Sequence, residues 1–273
     1  MKVESSQAVL PNVIYQEKQN FPNFFESWIS EQNQDLEKLI SALNDYDEDQ
    51  SEGLLVPLID NVLKHYEHYY AEKSRWANKD VLKMLNPSWR SNFEDAFLWI
   101  GGWRPSMAFH LIYSKCGIQL EAKLSELIRG LATEDLGDLS PSQVRQIDEL
   151  QRKTIKNEKE ITEKHATHQE TVADASMIKL SNMVSDMLRS GAGEAARVGD
   201  VVDEQVEPTL KPKEEGLLET LQMADDLRLK TLREIIKILS PVQVVHFLIA
   251  AAELHLRIHD WGKMKDSRNG INI

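Results

Sequence analysis

The chain of 273 residues carries 32 Lys and Arg against 44 Asp and Glu, a formal net charge of -12, with 41% hydrophobic and 28% charged residues. This is length for one large or two small domains and apolar content for a real core, which excludes a disordered tail; the acidic balance excludes nucleic-acid binding by bulk charge. One cysteine, Cys116, excludes an intramolecular disulfide framework, and no stretch approaches the roughly 18 uninterrupted apolar residues of a membrane span. Twelve Gly and nine Pro, about 8% of the chain, fall below the roughly 12% of average usage, which favours long helices. The expectation is a soluble, intracellular, all-α protein: a multi-helix bundle with one flexible acidic linker.

In chain order, residues 1–20 are polar and aperiodic and read as a flexible lead. From Phe24, the positions Phe25, Trp28, Ile29, Leu36, Leu39, Ile40 and Leu43 recur at three and four, predicting a helix that ends at the acidic run from Asp45 to Glu52. A second helix begins near Leu54, with Pro57 in its first turn and a face running from Leu58 to Tyr70. Asn86 to Gly117 holds three of the six Trp; Pro87 and Gly101–Gly102 bracket one short helix, and Pro105 and Gly117 bracket the next. Its residues Phe93, Phe97, Leu98, Trp99, Phe109, Leu111, Ile112 and Tyr113 are read as the packed centre of the fold.

Leu139-Ser140-Pro141-Ser142-Gln143 and Leu239-Ser240-Pro241-Val242-Gln243 repeat one capping signature: Ser at the cap, Pro at the first helical position and Gln three residues after the cap. Each starts a predicted helix, the first through Ile147, Leu150, Ile155 and Ile161 toward Leu188. Residues 190–213 lack helical period and read as the linker within a domain of residues 21–264, followed by a tail at 265–273. No convincing strand is found.

Motifs for hydrolase, P-loop and dinucleotide chemistry are absent, as is the Glu-x-x-His pattern of di-iron bundles, and no catalytic residues are assigned. Asp225-Asp226 resembles the start of a Mg²⁺-binding carboxylate cluster, but Leu229 and the lack of a second cluster disfavour it. Three His pairs remain: His65 with His68, His165 with His168, and His255 with His259. The first two read mainly as helix-surface histidines. The last pair borders a stripe of Val245, Leu248 and Ala252 on an apolar helix, four residues and about 6 Å apart. That spacing suits core histidines, or a pair gripping one small metal ion, or a single ligand to haem, because a straight helix cannot easily put both imidazoles on opposite sides of one haem iron.

Two segments carry a family resemblance. Trp89, Leu98-Trp99-Ile100-Gly101-Gly102-x-Arg104, Ala224-Asp225-x-Leu227-Arg228-x-x-Thr231-Leu232 and Leu239-Ser240-Pro241-x-Gln243 resemble the plant Delay-of-Germination domain, which stands alone in seed-dormancy regulators and follows a basic zipper in TGA transcription factors. The resemblance implies an all-α regulatory module without catalytic activity, present in nucleus and cytoplasm. It implies contact with clade A protein phosphatases 2C of abscisic-acid signalling, and haem binding through His255 and His259 as cofactor and iron ligands. A second reading implied by the TGA branch is a transcription-associated module that works with TGA-like factors. Candidate partner contacts are Phe24, Phe25 and Trp28, in the run Asn23 to Trp28 where the dormancy regulators carry a different cluster before their Trp. No basic region or leucine heptad precedes Phe24, so direct DNA binding is not expected.

Overall fold

A computed structural model of the chain describes residues 20–45, 52–127, 139–189 and 202–270. The first helix, α1 (Phe21–Asn44), starts where Asn20 accepts a hydrogen bond from the Asn23 N–H at 2.9 Å. Then come α2 (Glu52–Ala77), two short helices α3 (Val81–Leu85) and α4 (Asn92–Asp95), and α5 (Met107–Leu127). The second half holds α6 (Pro141–Glu170), a 3₁₀ turn into α7 (Ala175–Arg189), then α8 (Glu207–Ile238) and α9 (Pro241–Arg268). Among the described residues the extended structure is one isolated bridge between Trp99 and Gly102. The all-helical expectation holds.

Helix α9 is the axis of the molecule: α1, α2, α4, α5 and α8 all touch it, and α6 lies along α8. It has the length and apolar content to reach across a bilayer, but half of its most apolar stretch is buried in the fold, as in a core helix. Val244, Val245, Phe247 and Leu248 meet Leu39, Ile59, Phe109, Ile112, Ile147 and Ile235 in the main core cluster. A second, aromatic cluster gathers Phe21, Phe25, Trp28, Tyr69 and Trp89 from α1, α2 and the segment before α4. Each such side chain contributes about 1.5–3 kcal/mol when fully buried.

Both Ser-Pro-x-Gln caps form with reciprocal hydrogen bonds between Ser140 and Gln143 and between Ser240 and Gln243. They also meet: Gln143 Nε2 donates to Gln243 Oε1 at 2.7 Å and to the Ile238 carbonyl at 3.1 Å.

Several boundaries differ from the sequence reading. Helix α5 runs through Gly117, since one glycine costs a helix only about 1 kcal/mol. Residues 190–201 lie outside the described residues, but from Glu207 the supposed linker is helical, with Pro208 in the first turn and Pro212 inside. The hydrogen bond lost at Pro212 is offset next door, where Lys213 donates to the Thr171 carbonyl and to Asp174 at 2.7 Å each. The helix after Ser140 stops at Glu170, and α9 continues to Arg268, into the expected tail. Phe97 is 57% exposed rather than central, because α4 ends two residues earlier and the chain turns outward.

The segment from Trp99 to Arg104 is held by a buried charge cluster. Lys73 on α2, 2% exposed, donates to Asp225 Oδ1 and to the Gly101 carbonyl, each at 2.8 Å. Arg228, one turn after Asp225 on α8, pairs with the same carboxylate and donates to the carbonyls of Trp99, Ile100 and Trp103. These contacts fix a tight turn in which both Ile100 (φ 45°) and Gly101 (φ 67°) are left-handed. For a β-branched residue that conformation is strained by about 1–3 kcal/mol. A Cβ on Gly101 would also press on the Met84 carbonyl at 2.7 Å. Burial pushes Lys73 down to about 8, against the pull of Asp225. The carboxylate of Asp225 is thus occupied by two cations, which accounts for it without a metal. Asp225→Asn leaves two buried cations facing an amide and is expected to lower stability by about 3–5 kcal/mol, read as the shift in a denaturant unfolding curve.

Candidate functional site

Behind that turn lies a cavity of about 650 Å³ between α1, α2, α5, α8 and α9. Tyr66, Tyr69 and Tyr70 of α2 form one wall, Trp28 of α1 and Trp103 of the turn segment two others, and His255 of α9 lies among them. The His255 ring packs 5.8 Å from Trp28 and edge-on 6.2 Å from Trp103. Its Nδ1 is 2.8 Å from Gln32 Oε1, and its Nε2 is buried with no hydrogen-bond partner. Burial, assisted by the Arg90 guanidinium, pushes this imidazole down to about 3, so it is neutral at physiological pH. Arg90 lies across the Phe25 ring and donates to the Tyr69 hydroxyl at 3.1 Å.

His259, one turn further on, has different company. Its Nδ1 is 3.0 Å from Glu94 Oε2, an oxygen that also accepts from the Ser91 N–H at 2.9 Å and the Ser91 hydroxyl at 2.7 Å. Burial alone would raise the Glu94 carboxyl, but these hydrogen bonds prevail and hold it at about 2. The ring is 2% exposed, sits edge-on to Phe25 and lies outside the cavity lining. Asp266 adds a second tie, accepting from the Asn92 backbone N–H at 2.8 Å. A side chain at Gly262 would collide with Ser91 Oγ, so α4 approaches α9 through the space left by a glycine. The two histidines share a helix and divide the work: His259 fastens α4, and His255 faces the cavity residues.

The fit to haem follows from these positions. A neutral, half-buried imidazole with one nitrogen engaged and the other unpartnered, beside a large aromatic cavity, has the chemistry that a haem-iron ligand would need. His255 fits that role. His259 also has a buried, unpartnered Nε2, but Glu94 holds its Nδ1 and the ring lies outside the cavity lining, so it does not share that role.

Of the candidate contact residues, Phe25 and Trp28 are buried and Phe24 is half-buried, stacking on Tyr69. The outward side of α1 is Glu26, Ser27, Ser30 and Glu31 instead. His65 stacks on Trp28 at 5.0 Å, between the carboxylates of Glu31 and Asp35 at 3.4 Å. His165 and His168 line a second cavity of about 500 Å³ with Asp95 and Lys213. No cluster of three His, Cys, Asp or Glu able to hold a metal ion occurs among the described residues. Sequence reasoning missed Gln32, Arg90, Glu94 and Trp103. Only Glu94 had a local signal, the Ser-x-x-Glu capping box Ser91-Asn92-Phe93-Glu94.

The family described as DOG1, seed dormancy control, matches residues 35–114. Protein DOG1-like 3 of Arabidopsis thaliana is 32% identical over 251 residues, covering 89% of this chain and 84% of the relative. Protein RESPONSE TO ABA AND SALT 1 of Arabidopsis thaliana is 24% identical over 247 residues, 89% of this chain and 94% of the relative. Transcription factor TGA2 of the same plant is 28% identical over 235 residues, 86% of this chain but 58% of the factor. Fold and cavity define an all-helical module with a partly open cavity of ligand size. The chain belongs to the DOG1-like family, whose members are regulatory proteins.

Acid is expected to unfold the protein through this site. The unfolded chain takes a proton on His255 near 6.5 and on Glu94 near 4.5, whereas the folded chain resists both to about 3 and about 2. The unfolded state binds the extra protons, so stability falls as pH drops below 6.5 and falls more steeply below 4.5, by up to about 1.4 kcal/mol per pH unit for each proton. Denaturant midpoints measured from pH 7 to 4 should show this decline, and His255→Gln should flatten its upper part.

Proposed function

We propose that the chain is a non-enzymatic regulatory adaptor of the Delay-of-Germination type, acting in seed dormancy or abscisic-acid signalling through protein contacts and through haem held at His255. The reading is carried by one observation, the half-buried His255 imidazole, with its Nε2 unpartnered, in the wall of a 650 Å³ aromatic cavity. Bound haem would supply an iron centre responsive to oxidation state and to small diatomic ligands. The chain's residues orient the imidazole through Gln32, hold it neutral by burial, and line the partly open cavity with Trp28 and Trp103. Relatives named for dormancy-family membership and for response to abscisic acid and salt support the signalling assignment.

Contact with clade A protein phosphatases 2C would use the outward side of α1, around Glu26, Ser27 and Glu31, since Phe25 and Trp28 serve the core. The match to TGA2 favours a second reading, in which the module works with TGA-like factors in transcription.

Haemin titration tests the cofactor assignment. Wild type should saturate with a shifted Soret band, His255→Ala should lose it, and His259→Ala, though less stable, should keep it at temperatures where it is folded. Loss in His259→Ala alone would reverse the roles. For the partners, purified phosphatase and purified TGA factor should be offered to wild type and to Ser27→Arg. Phosphatase binding weakened by Ser27→Arg supports the adaptor, and binding of the TGA factor alone supports the second reading.

A further inference from the structure

Gln32 lies on α1, buried at 4% exposure, between two polar side chains from other helices. Its amide nitrogen donates to the Tyr66 hydroxyl of α2 at 3.0 Å, and its amide oxygen lies 2.8 Å from His255 Nδ1 of α9. An amide oxygen can only accept, so the proton of that contact belongs to Nδ1. A neutral imidazole has one N–H, which leaves the lone pair on Nε2. The opposite amide orientation would place an N–H on Nε2, where it would be buried without an acceptor, and orphaned buried donors are the rarer and costlier case. Trp28, one turn earlier on α1, braces the same ring and is itself pinned by its indole N–H donating to the His65 carbonyl at 3.3 Å.

We infer that Gln32 is a positioning residue that fixes His255 as the Nδ1–H tautomer and thereby keeps Nε2 the coordinating atom. The tautomer is a property of the ligand-free chain; only its use for coordination rests on the haem reading above.

Long-range ¹H–¹⁵N correlation on the full ligand-free chain reads the tautomer directly. Wild-type His255 should show a protonated Nδ1 and an unprotonated Nε2, Gln32→Leu should lose that pattern, and Gln32→Glu, which keeps an acceptor, should retain it. With haemin as the probe, Gln32→Leu should bind about 10–100-fold more weakly and Gln32→Glu near wild type. A proton on Nε2 in the wild type overturns the inference without any variant. So does an unchanged tautomer, or unchanged haemin affinity, in Gln32→Leu. If the tautomers behave as expected but no variant binds haemin, the cofactor reading falls and the assignment of Gln32 to the tautomer stands.

Discussion

The structure depends on one buried carboxylate. Asp225 sits between Lys73 and Arg228, and the two cations also donate to four backbone carbonyls from Trp99 to Trp103. Two helices, α2 and α8, are thereby tied to one turn in which Ile100 and Gly101 are left-handed. The turn in turn carries Trp103 and Arg104 to the cavity edge. Much of what makes this chain resemble its family, Trp99 to Arg104 and Asp225 to Arg228, is this cluster. The signature residues therefore do structural work, and the chamber they frame is lined largely by residues outside the signature.

Helix positions, the all-α class and the two Ser-Pro-x-Gln caps were legible because they are local: period, cap and proline act within a turn or two. The charge cluster was not. Asp225 and Arg228 at i and i+3 look like an ordinary surface pair, and nothing near them in sequence announces Lys73, 152 residues away. The spacing of His255 and His259 puts them on one helix face beside the core, but a face says nothing about neighbours. Gln32 reaches one ring from α1 and Glu94 reaches the other from α4, so residues one turn apart meet unlike chemistry. On α9, Leu254 and Trp261 are exposed, whereas Val245, Leu248, Ala252 and His259 are buried.

Helix α1 is bound to the chamber more closely than its sequence suggested. Phe25 and Trp28 fill space beside the two histidines, and Gln32 bonds to one of them. A helix read as a contact surface is thus also a wall of the interior, with only its outer side free for partners.

The paired caps have a geometric consequence. Because Gln143 and Gln243 join side chain to side chain, α6 and α9 begin at a common level, and depth into the core can be counted from either serine. Ile147 and Phe247 are each the seventh residue on, about 10 Å along their helices, and both enter the same core cluster. The caps act as a shared datum: a single residue inserted between a serine and its seventh successor puts the two helices out of register.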